Sequence, residues 1–100
     1  MINLELKIPA NELRALCARH AIRELAIFGS AVTENFMVES DVDVLVEFQP
    51  HARVGFLTLS RLQRELSALF DRPVDLVPKS GLKAQIREGV LATAEVVYAA

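Results

Sequence analysis

Cysteine occurs once in the chain, at Cys17, and tryptophan does not occur at all. A single thiol excludes an internal disulfide and any cysteine-built zinc site. Its place on the apolar side of a predicted helix marks it as a small core residue. No run of like charges stands out, and the net charge is −2. A broad nucleic-acid or anionic-membrane surface needs a basic footprint, so direct nucleic-acid binding is not expected. Nor does any apolar run approach the roughly 20 residues of a membrane helix, and no signal peptide is visible. A reducing cytoplasm is the expected location. Histidine is also scarce: His20 closes a predicted helix and His51 sits in a polar turn, without metal-ligand spacing between them.

Apolar residues, by contrast, are abundant, at 52% of a chain of 100 residues. That length makes one domain, 1–100, able to bury about two-thirds of the surface its unfolded form exposes. Either a partner covers part of the apolar surplus, or strands apolar on both faces absorb it beneath helices. Homo- or hetero-oligomers are both open.

Hydrophobic spacing sets out the elements. Leu13, Leu16, Cys17 and Ala21 recur at helical spacing over a segment from about Asn11 to His20, with Asn11 as a plausible N-cap. Glu24–Phe28 reads as a short strand ending at Gly29. From Asp41 to Phe48, the residues Val42, Val44, Val46 and Phe48 alternate with Asp41, Asp43, Leu45 and Glu47, a strand with one fully apolar face. After a turn at Pro50–Gly55, Leu59, Leu62, Leu66 and Leu69 mark a long helix with Phe56 and Phe70 at its ends, stopped by Arg72-Pro73. Val74–Val77 is a third strand, Leu82, Ile86 and Val90 mark a last helix, and Glu95–Tyr98 makes a short terminal strand. This alternation predicts an α/β fold, a sheet of three or four strands with helices packed against it.

Asp41 and Asp43 begin the second strand, separated from Gly29-Ser30 by ten intervening residues. Residues i and i+2 of a strand point to one face, so the two carboxylates project together. They repel unless a cation lies between them or one takes up a proton. Mg²⁺ is the simplest occupant, since it prefers oxygen ligands and takes the rest of its shell from water and phosphate. Asp75, in the third strand between Val74 and Leu76, joins them if the two strands are neighbours. Three such carboxylates would hold one or two Mg²⁺ ions, with Asp75 also the candidate base for an acceptor hydroxyl. Gly29 allows close backbone approach, and Ser30 adds a hydroxyl and an N–H for phosphate. Taken singly, each piece has a plain reading: a turn, a solvated strand start, an aspartate paired with Arg72 or Lys79.

Phe28-Gly29-Ser30, ten residues, then Asp41-Val42-Asp43 resembles the signature of the minimal nucleotidyltransferases, within the DNA polymerase beta superfamily. The resemblance covers nearly the whole chain, including the strand of Asp75, where the family places its third carboxylate. It implies a small α/β fold with a mixed sheet. It further implies transfer of a nucleoside monophosphate, AMP from ATP or another NTP, onto an acceptor hydroxyl with Mg²⁺. The partner it implies is a small helical HEPN-like protein, for which the chain would act as antitoxin. By the same resemblance Gly29 and Ser30 hold the triphosphate, Asp41 and Asp43 bind metal, and Asp75 serves metal and base. Lys79 is a further candidate for nucleotide phosphate.

The intervening segment departs from the family pattern. Residues Ala31–Ser40 contain no Arg, Lys or Gly and include two glutamates, whereas relatives usually have an arginine and a glycine soon after Gly-Ser. Charge-assisted bonds from such an arginine contribute roughly 1.5–3 kcal/mol each, so their loss predicts weak NTP binding or slow transfer. A binding module that neutralises a helical toxin by contact alone is therefore the alternative. Phe36-Met37-Val38 either pack inward or belong to a partner surface. Tyr98 is read as packing, and Arg61, Arg64 and Lys83 as solvated.

Overall fold

The computed structural model describes residues 6–32 and 41–100. Helix α1, Ala10–Arg19, buries Leu13, Leu16 and Cys17, a stripe three and four residues apart. Asn11 does not cap it. Pro9 takes the N-cap position without a side-chain bond, and its carbonyl accepts the Leu13 N–H at 2.9 Å. Asn11 lies inside the first turn, where its side-chain oxygen accepts from Arg14 at 2.7 Å.

Strand β1, Ile22–Phe28, starts two residues before the Glu24 that alternation suggests, because Ile22 is buried ahead of a register shift between Ile22 and Glu24. A 3-10 turn, Gly29–Val32, follows it. Strand β2 covers Val42–Phe48, helix α2 Phe56–Phe70 and strand β3 Val74–Pro78. A second 3-10 turn, Lys79–Gly81, leads to helix α3, Ala84–Thr93, and strand β4, Glu95–Ala99. The sheet order is β3-β2-β1-β4. Strands β2 and β3 are parallel, and the other two pairings antiparallel, so the sheet is mixed and four-stranded. A parallel pair needs a crossover, which α2 supplies.

The core lies on one face of this sheet. Leu25 and Ile27 of β1, Val42, Val44 and Val46 of β2, and Val74 of β3 meet Leu13, Leu16 and Cys17 of α1 and Leu62, Leu66 and Phe70 of α2. Tyr98 packs against the cluster from β4, as its sequence setting suggests. Two aromatic and aliphatic markers fall outside. Phe56 is 84% exposed, because the buried stripe of α2 begins only at Leu62. Ile86 is 53% exposed on α3, a helix with no buried residue. Among the described residues no helix is long and apolar enough to cross a membrane.

Candidate functional site

The inward turn of Val42, Val44 and Val46 sends Asp43 to the opposite face of β2. Asp43 is the residue where three strands meet, paired with Phe28 on β1 and with Asp75 on β3. The parallel register that aligns the two aspartates begins with Val42 opposite Val74, and the Val42 N–H donates to the Pro73 carbonyl at 2.9 Å. Ser67, near the end of α2, holds the start of β3: its hydroxyl accepts the Val74 N–H at 3.0 Å. Strand pairing thus brings Asp75 beside Asp43, as the sequence anticipates. Asp75 itself is exposed rather than enclosed by its apolar neighbours, since β3 is an edge strand.

Electrostatics ties the three carboxylates together. Asp43 is half-buried, and burial is the main cause that pushes its carboxyl above the usual range. The charges of Asp75 and then Asp41 raise it further. Gly29 closes the other side. Its φ is +73°, a left-handed conformation that favours glycine, and an added Cβ would collide with the Asp43 carboxylate, its carboxyl carbon at 3.1 Å. No other residue can stand there without displacing Asp43. Ser30 follows within the same turn. That steric demand has no trace in the sequence beyond the Gly-Ser dipeptide.

Among the described residues, no three His, Cys, Asp or Glu side chains are gathered tightly enough to enclose a metal ion. The donor set is nevertheless all oxygen and mutually repulsive, with one member driven towards its neutral form. Such a set fits a hard cation like Mg²⁺, which needs only one or two carboxylates and completes its shell with water and phosphate. It does not suit a metal that requires a closed cage of protein ligands.

Lys79 does not join the site. It lies four residues on from Asp75, just past the end of β3, about 13 Å at strand rise. There its ammonium group stands 3.8 Å from Glu47 of β2. Arg87 of α3, which the sequence does not single out, lines the same cleft with Lys79 and Ser80. His20 caps α1 and meets Glu65 of α2 in a short hydrogen bond, a helix-to-helix tie and not a ligand position. Phe36, Met37 and Val38 lie outside the described residues.

The nucleotidyltransferase domain model matches residues 11–96. Among curated proteins the chain is similar to the protein adenylyltransferase MntA of Thermococcus cleftensis, with 41% identity over 85 residues, 85% of this chain and 82% of the relative. A solved structure described as a candidate minimal nucleotidyltransferase is 34% identical, with a TM-score of 0.70, and 85% of each chain is covered. A toxin–antitoxin structure with AMP-PNP superimposes with a TM-score of 0.74 at 18% identity, covering 93% of this chain and 75% of that one. At that identity the likeness shows the fold alone.

Proposed function

We propose a function from one premise: the chain belongs to the nucleotidyltransferase domain family. It transfers a nucleoside monophosphate, AMP from ATP, onto a hydroxyl of a small helical HEPN-type protein, and acts as the antitoxin of that protein. The observation that carries this reading is the alignment of Asp43 with Asp75 beside Gly29. The relative named as a protein adenylyltransferase supports a protein acceptor, and the toxin–antitoxin structure of the same fold supports the antitoxin role.

Each residue has a part. Asp41 and Asp43 would hold Mg²⁺, and Asp75 would complete the set. When bound, Mg²⁺ neutralises phosphate charge and lowers the pKa of the attacking hydroxyl. The glycine turn lets phosphate approach the backbone of Gly29 and Ser30 without a side chain in the way. Asp75, being exposed, is open to an incoming acceptor and takes its hydroxyl proton as the acceptor oxygen bonds to the α-phosphorus and pyrophosphate leaves. With no Arg or Lys between Ser30 and Asp41, nucleotide binding is weak and turnover slow.

The test is to incubate the chain with its neighbour-encoded helical partner, labelled ATP and Mg²⁺. Label should reach the partner, and Asp41→Ala with Asp43→Ala should abolish this. Transfer that persists in the double variant sinks the assignment. The same basic-poor segment favours a second reading, an inactive module that neutralises its partner by contact alone. Calorimetry separates the two, since such a module binds the partner but gives no heat with ATP and Mg²⁺.

A further inference from the structure

The end of the sheet away from the carboxylates has a different character. Ala21 leads into β1 there, and residues 52–58 follow the end of β2. Between them opens a cleft of ≈ 380 Å³ whose lining includes Arg19, His20, Arg53, Val54, Leu57 and Arg61. Glu65 answers two of the basic groups, standing 3.4 Å from Arg19 and hydrogen-bonded to His20. Arg53 and Arg61 have no ion-pair or hydrogen-bond partner among the described residues. Beside them, Phe56 is 84% and Leu57 81% exposed. Two guanidinium groups with no carboxylate partner among the described residues thus border a bare aromatic–aliphatic pair, in a chain whose net charge is −2.

We infer that this face docks an acidic, apolar-anchored segment of the protein that receives the nucleotide, an inference that rests on the proposed function. Charge complementarity selects the occupant. Arginine pairs bidentately with carboxylates, while Phe56 and Leu57 offer the apolar area on which interface affinity concentrates. Aromatic residues and arginine are the side chains enriched in protein interfaces. A nucleic-acid backbone needs a longer basic track than these two arginines provide, and the overall negative charge opposes it.

Docking and transfer are separate places. The seven residues of β1 lie between them, about 23 Å at strand rise. About 15 residues of α-helix span that distance, so one helical partner reaches both. Nucleotide therefore does not compete with docking, and loss of the carboxylates does not release the partner.

Calorimetry of the full chain with the purified helical neighbour reads docking, and label transfer from ATP reads chemistry. Arg53→Glu with Arg61→Glu, and separately Phe56→Ser with Leu57→Ser, should each weaken Kd about tenfold or more at an unchanged melting temperature. Asp41→Ala with Asp43→Ala should keep Kd and lose transfer. Equal Kd for wild type and both surface variants overturns the docking face while the transfer reading stands. A wild-type chain that neither binds nor labels the neighbour overturns the functional reading and the docking face together. A short RNA duplex bound by wild type and released by the arginine variant reassigns the face to nucleic acid, and also overturns the inference.

Discussion

Asp43 is held between opposing demands. Strand pairing places its carboxylate beside Asp75, and Gly29 leaves just enough room for it. In the folded chain it favours its proton more than the ordinary value of 3.8 would allow. The folded state therefore binds more protons than the unfolded one in the window just above 3.8, and stability falls as pH rises through that window. Asp43→Asn removes the repulsion. Without metal it should melt higher than wild type at neutral pH, by a margin that disappears at pH below 3.8. Mg²⁺ should raise the melting temperature of wild type and leave Asp43→Asn unmoved, and the variant should transfer nothing. Thermal melts with and without Mg²⁺ at the two pH values check this. The outward face of Asp43 was legible from alternation, because a strand has a strict period of two, whereas Asp41 lies one residue before β2. Lys79 was misplaced for the complementary reason: proximity in sequence along a strand is distance in space, and Lys79 sits with Glu47 instead.

At the scale of elements, the junction of α2 and β3 does most to place the third carboxylate. α2 ends at Phe70, one residue before Asp71, which adopts the left-handed conformation at φ 55°. Aspartate tolerates that region better than most residues. The Arg72 N–H then returns to the Ser67 carbonyl at 3.1 Å, while the Ser67 hydroxyl donates to the Gln63 carbonyl at 2.8 Å. The same hydroxyl accepts from Val74, the residue before Asp75. Ser67→Ala leaves the Val74 N–H without that partner and should cost about 1 kcal/mol. In a domain of this size the melting temperature should fall by about 4–8 °C, as a calorimetric scan would read. The leucine stripe made α2 visible in the sequence. What it could not give was where the stripe begins to touch the sheet: Phe56 starts the helix, as its place in the sequence suggests, but is surface. The spacing of Leu82, Ile86 and Val90 likewise announces a helix, but spacing does not say whether anything lies beneath it.

Over the whole molecule, class and element order followed from local pattern, whereas strand order did not. Which strand neighbours which depends on contacts across long stretches of chain. The register of β2 on β3 follows from the α2 crossover and not from any pair of adjacent residues. The core those contacts enclose includes Cys17, fully buried between α1 and the sheet cluster, its thiol pushed up to about 12 by burial. Because this folded value lies above the ordinary 9.0, the contribution is complete below pH 9.0 and is lost as pH rises towards 12. The difference in urea midpoint between wild type and Cys17→Ala should therefore shrink between those limits.

The solitary thiol also makes the protein its own clock. An alkylating reagent reaches sulfur only when α1 parts from the sheet, so each modified molecule records one opening event. With no second cysteine to confuse the signal, the rate of modification measures how often the domain breathes. Comparing that rate with and without nucleotide or partner would show which of them holds the fold shut.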